Sequence, residues 1–213
     1  MPSPDALLLL APTCPHCPAV LDGLAKLVKE GVVGRLEVIN IAMHPERAAA
    51  LGVRSVPWMR IGPFELQGVR PPAELRLWAE RAAHPRGMAE YLEQMLAEGG
   101  LAKVEGIIAA EPAHFDRLLG LLESPQLPLQ VRLGIGAITE GLAGTPVLQA
   151  ALPALARLAG HGDHRVRSDA CHFLGLTLSG EARPTLEACL ADPHPEVREI
   201  AAEALEGLPA PGG

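Results

Sequence analysis

Cys14 and Cys17, with Pro15 and His16 between them, stand between the apolar run Ala6 to Ala11 and an amphipathic stretch that follows at once. Two cysteines at this spacing admit two chemistries. In a loop, a CxxC is half of a tetrahedral metal clip; where a strand hands over to a helix, it is a thiol/disulfide pair. The placement here favours redox chemistry. A metal clip would need two further ligands, and Cys171 and Cys189 have neither CxxC spacing nor a partner histidine at zinc-finger distance. Both fall among apolar residues on predicted helices and are read as buried core thiols. No metal and no cofactor is expected.

The reactivity of such a pair comes from the helix behind it. At a helix N-terminus the unpaired amide hydrogens and the helix dipole favour negative charge, so a thiolate at Cys14 is stabilised. Cysteine pKa values in that setting fall from about 8.5 to roughly 3.5 to 7.5. Cys14 is therefore expected to be the nucleophile. Cys17, three residues on, is placed to resolve the mixed disulfide. Pro15 and His16 are the tuning positions, His16 because it can add positive charge or a hydrogen bond beside the Cys14 sulfur.

The elements that must hold this pair are legible in residues 1–84. Ala6 to Ala11 reads as a strand covered on both faces. Pro15 suits the first position of a helix, and Val20, Leu21, Leu24, Leu27 and Val28 supply its inward stripe. Leu36, Val38, Ile39 and Ile41 form a second strand, parallel to the first if the crossover is right-handed. Pro45 to Leu51 predicts a short helix closed by Gly52. Val56 to Ile61 and Phe64 to Leu66 form a hairpin across Gly62 and Pro63, and Pro71 and Pro72 open a last helix through about Ala83. The expected order is βαβαββα.

That order, with a CxxC at the first strand-to-helix turn and Val56-Pro57 before the third strand, resembles the thioredoxin/glutaredoxin superfamily over about residues 5–84. The resemblance implies a thioredoxin-like α/β fold and thiol/disulfide exchange with a protein disulfide or dithiol. It also implies that Pro57 is cis and lies against the CxxC, with Val56 offering backbone hydrogen bonds to an incoming peptide. Val56, Pro57 and Trp58 are the implied substrate-binding residues, Trp58 as an apolar lip or as sheet core. Phe64 is read as core. The Pro15-His16 dipeptide is the one found in bacterial thiol oxidases, which hints at an oxidising poise. Thr13 stands where the superfamily usually has tryptophan, and the first strand carries no acid in place of the usual buried aspartate. The short first strand and the Pro-Thr-Cys-Pro-x-Cys-Pro context over 12–18 look closer to the compact redoxin units of protein disulfide oxidoreductases.

Residues beyond 84 change in character. Setting Pro153 over Pro184 reveals a 31-residue period, matching Leu155/Leu186, Val166/Val197, Arg167/Arg198, Ala170/Ala201 and Leu174/Leu205. A period of this size built of two helices is the signature of an α-solenoid. The Val-Arg pair followed by Ala and Leu resembles short HEAT repeats of the lyase-associated type, which implies an arginine that ties one repeat to its neighbour and a surface for a protein partner. An imperfect third copy carries Val131-Arg132 after a helix over Phe115 to Leu122, with an insertion of about four residues. The expected organisation is a redox domain over 1–84, connecting or capping helices over 85–110 (about Gly87 to Glu98 and Leu101 to Ala110), and HEAT-like repeats over 111–213. Asp163, His164, His172 and His194 fall near repeat turns and are read as solvated turn residues; His44, His84 and His114 lie at element ends and are read likewise.

Charge divides at the same place. Residues 1–84 hold nine Lys/Arg against eight Asp/Glu, a net of +1, and the remainder nine against seventeen, a net of −8. An acidic helical half is a poor match for phosphates, so nucleic acid is not an expected partner. The run Leu7 to Leu10 is too short for a signal peptide and no segment approaches a membrane span. Four cysteines in 213 residues do not form a disulfide framework. A cytoplasmic setting is therefore expected, with any disulfide there catalytic or transient. The competing functional expectation is an adaptor whose CxxC switches partner binding and turns over little.

Overall fold

The computed structural model describes residues 3–209. They divide between Tyr91 and Leu92 into two compact units.

In the first unit, β1 (Asp5–Leu10) pairs in parallel with β2 (Arg35–Asn40) and antiparallel with β3 (Trp58–Ile61), which pairs antiparallel with β4 (Phe64–Gln67). The sheet order is β2-β1-β3-β4. Three helices connect and cover it: α1 (Cys17–Lys29), α2 (Pro45–Ala50) and α3 (Pro72–Ala82). The order is the βαβαββα expected. As its continuous apolar sequence requires, β1 is central and buried from Ala6 through Leu9. Leu7 and Leu9 join Ile39, Ala48 and Trp58 in one cluster, while the register pair Leu8 and Met59 belongs to the alternate face. The β3–β4 turn needs Gly62, whose φ of +56° is left-handed.

Behind β4, the rings of Phe64, Trp78 and Tyr91 meet at centroid distances of 4.8 to 5.5 Å. All three side chains are essentially inaccessible to solvent, and burying each is worth on the order of 2–3 kcal/mol. The Tyr91 hydroxyl donates to the Glu65 carbonyl at 2.9 Å and accepts from the Glu65 amide at 3.1 Å. The first unit thus continues into α4 (Gly87–Ala97), the helix within which the division falls.

The second unit is helical: the rest of α4, then α5 (Leu101–Ala110), α6 (His114–Leu119) with a 3-10 turn Gly120–Glu123, α7 (Leu129–Gly141), α8 (Pro146–Ala150), α9 (Leu152–Leu158), α10 (His164–Leu176), α11 (Arg183–Cys189) and α12 (Pro195–Gly207). The Leu, Val and Ala matches of the 31-residue period are core positions: Leu155, Leu186, Val166, Val197, Ala170, Ala201 and Leu174 are all buried, while Leu205 is half-buried on the last helix. The insertion in the upstream copy has a shape. Ten residues separate α7 from α9 where six separate α10 from α11, and the surplus is taken up by the single turn α8. Thr145 caps α8, its side chain accepting from the Leu148 amide.

Two expectations about histidine divide. His44 and His84 are exposed as read. His114, expected to be solvated, is buried at the start of α6, with Nε2 3.2 Å from Glu111 Oε2. The correction follows from packing, since α6 meets both α5 and α9 and carries its first turn inward. No helix among the described residues is long and apolar enough to cross a membrane.

Candidate redox site at the end of the first strand

The chain leaves β1 through a tight turn, the Cys14 amide donating to the Ala11 carbonyl at 3.1 Å. That turn pushes the start of α1 along the chain. Pro15, expected at the first helical position, lies in the turn with His16 as N-cap, and the helix opens at Cys17 with Pro18 in its first turn. The reason is local. The reversal over Pro12 and Thr13 is followed by a second turn over Pro15 and His16, the residues that the spacing assigned to the helix, and Pro18 tolerates the first turn as well as Pro15 would have.

Cys14 and Cys17 are bonded as a disulfide, their Cα atoms 5.6 Å apart. The two sulfurs differ in access: Cys14 is partly exposed on the turn, and Cys17, 2% exposed, points into the core. Pro15 and His16 between them are exposed. No side chain caps the N-terminus of α1 and no acid lies in its first turn, whereas Lys26 and Lys29 occupy its last. The positive end of the helix dipole is therefore left to the cysteines.

Across from the pair, Val56-Pro57 is a cis peptide bond. Cys14 Sγ lies 3.7 Å from the Val56 carbonyl oxygen, so residues 42 positions apart in sequence meet at one spot. Pro57 is buried and Val56 half-buried. Trp58, expected as a lip or as core, is core: it is 5% exposed and packs with Leu7, Leu9, Ile39 and Ala48. It supports the Val56-Pro57 segment from within. Phe64 is core as read.

The remaining cysteines form a different environment. Cys171 on α10 and Cys189 at the end of α11 are both buried. They share a hydrogen bond, and that bond together with burial pushes the Cys171 thiol well above the ordinary range. Such a thiol is a poor nucleophile at neutral pH.

In the second unit the repeated arginine has a repeated task. Arg167 Nη1 donates to the carbonyls of His161 and Gly162, six and five residues before it, at 2.9 and 3.1 Å. Arg198 Nη1 donates to those of Asp192 and Pro193, again six and five residues before, at 2.8 and 3.1 Å. Arg167 also reaches the next loop, its Nε and Nη2 donating to the two Asp192 oxygens at 2.7 and 2.8 Å. Arg132 pairs with Asp169. Arg167 and Arg198 each close a loop, and Arg167 and Arg132 link successive copies. Residues 115–206 match a family model of HEAT repeats. The matched stretch spans all three copies read from the sequence, from α6 to α12. No curated protein matches the chain. The sequence alone does not single out the acceptor Asp192, although its position, 31 residues after His161, falls on the period.

Proposed function

We propose that the first unit is a thioredoxin-like thiol/disulfide oxidoreductase and that the HEAT region recruits its protein partner. The observation that carries the reading is the meeting of Cys14 Sγ with the Val56 carbonyl beside a more deeply buried Cys17. A partly exposed sulfur beside the Val56 backbone suits a nucleophile that docks an extended peptide, and a shielded sulfur suits the resolving thiol.

In the reducing direction, the Cys14 thiolate attacks one sulfur of a substrate disulfide and the other sulfur leaves as a thiolate. The Cys17 thiolate then attacks the Cys14 sulfur of the mixed disulfide, and the second substrate sulfur departs. The substrate gains two electrons and two protons, and the Cys14–Cys17 disulfide forms. The oxidising direction is the reverse. Pro15 and His16, on the exposed turn, tune which direction prevails, and Val56 presents backbone to the substrate, with Pro57 holding it in place and Trp58 beneath them. The substrate is a protein disulfide or dithiol, no cofactor takes part, and the acidic balance of the repeats suits a basic protein partner.

The test is disulfide exchange with a small model disulfide. Cys14→Ser is expected to abolish it, while Cys17→Ser accumulates a mixed disulfide visible by mass. Full activity in Cys14→Ser would sink the assignment. The HEAT region favours a second reading, an adaptor in which the pair switches partner binding with little turnover. That reading requires partner affinity to differ between the oxidised and reduced chain. Equal affinities in a calorimetric titration count against it.

A further inference from the structure

The loops that open α10 and α12 bring together three side chains that the thiol chemistry does not use. His164 is the first residue of α10, His194 is the N-cap of α12, and Glu196 lies in the first turn of α12. The two imidazoles are stacked, with centroids 3.8 Å apart and planes 19° apart. One ligand atom from each of the three residues lies within 4.8 Å of the other two. We infer that His164, His194 and Glu196 form a binding site for one divalent transition ion of the zinc class, which clamps the start of α10 to the start of α12.

Ordinary turn chemistry explains Asp163, whose side chain accepts from the Arg165 amide at 2.9 Å, but not the histidines. His194 Nδ1 is buried without a hydrogen-bond partner. It lies 3.9 Å from Glu196 Oε2, too far for a hydrogen bond. His164 Nδ1 stands at the same distance from Asp163 Oδ1. Two imidazoles and a carboxylate thus converge without satisfying one another.

The neighbouring charges sort themselves. Asp163 is engaged by Arg165 and Asp192 by Arg167, which leaves Glu196 to supply the anionic ligand. Two histidines and one glutamate are a three-ligand set that zinc accepts, with water in the fourth position. Imidazole lone pairs lie in the ring plane, so the two nearly parallel rings must swing apart to aim at one ion. Both side chains, 40% and 37% exposed, have room to do so. The two helix N-termini oppose a cation. Affinity is accordingly modest, and the site acts as a sensor or clamp between repeats rather than a permanent structural centre.

The inference is independent of the redox assignment, and its test keeps the two apart. Zinc chloride is titrated by calorimetry into the full chain with Cys14–Cys17 oxidised, so that those thiols do not bind the ion. One equivalent is expected to bind. His164→Ala and His194→Ala should each weaken binding by more than about tenfold, at least the loss that removal of an outer-shell partner causes elsewhere. Glu196→Gln should weaken it less, and His172→Ala, on α10 but outside the cluster, should not change it. His194→Gln, which keeps bulk and polarity, is the second variant, and far-UV circular dichroism without metal checks that each variant is folded. Zinc should also raise the melting temperature of the wild type but not of the histidine variants. Absence of saturable binding, or wild-type affinity in folded His164→Ala and His194→Ala, as when Cys189 holds the ion instead, overturns the proposal.

Discussion

Arg167 holds the two oxygens of Asp192 and two loop carbonyls at once, and both charged side chains are largely shielded from water. Removing the guanidinium would strand a carboxylate and two acceptors together. Arg167→Ala is expected to cost about 2–3 kcal/mol, measured by urea denaturation, below the full cost of a deeply buried pair because solvent reaches the edge of this one. The same bonds set a pH dependence. The Arg167 side chain first, then the His194 amide, hold the Asp192 carboxyl down to about 2. A carboxyl depressed by folding contributes stability above its unfolded value near 4, and that contribution drains away as the pH falls toward 2. Denaturation midpoints should therefore drop over that acid range in the wild type and drop less in Arg167→Ala. At this scale the sequence was readable where chemistry needs a rare residue at a fixed spacing. Cys14 and Cys17 stood out for that reason. Glu196 and Asp192 did not, because an acid in a polar turn looks like every other acid until a distant residue is brought beside it.

Helix packing has its own reader's key, and two glycines show it. Gly175 lies in α10, where an added Cβ would fall 2.8 Å from Ala204 Cβ and 3.1 Å from its Cα on α12. Gly136 lies in α7 with nothing within 4 Å. Alanine is the better helix former by up to about 1 kcal/mol, so Gly136→Ala should stabilise the protein by roughly that amount. Gly175→Ala should instead destabilise it by about 1–2 kcal/mol, because the contact is with backbone that cannot turn aside. Opposite shifts in melting temperature are the expected result. Both glycines look alike in sequence. By contrast, the order βαβαββα and the 31-residue period were legible, because period-2 and period-3.6 patterns bury whole faces and tolerate local error. Helix α1 starts two residues later than its sequence suggests, since the turns that end the strand take up the same prolines.

Across the whole molecule, each unit has its own core, and the residue nearest their division belongs to the first. Tyr91 packs edge-on against Trp78 and tilted against Phe64 although it lies beyond the sheet-forming residues. Nothing in its helical neighbourhood announced that role, because an aromatic on an amphipathic helix fits any core. Tyr91→Ala is expected to cost about 3–5 kcal/mol and Tyr91→Phe about 1 kcal/mol. Hydrogen exchange should show the loss of protection in residues 3–91, with 92–209 little changed; an equal loss in both would contradict the division. The Tyr91 hydroxyl has a further consequence for how copies of this protein meet. A sheet of order β2-β1-β3-β4 has two rims, and an approaching strand pairs through the amides and carbonyls of a rim. At β4 the tyrosine already occupies both groups of Glu65. A strand arriving along β4 has first to displace that hydroxyl, so edge-to-edge growth of the sheet is disfavoured on that side.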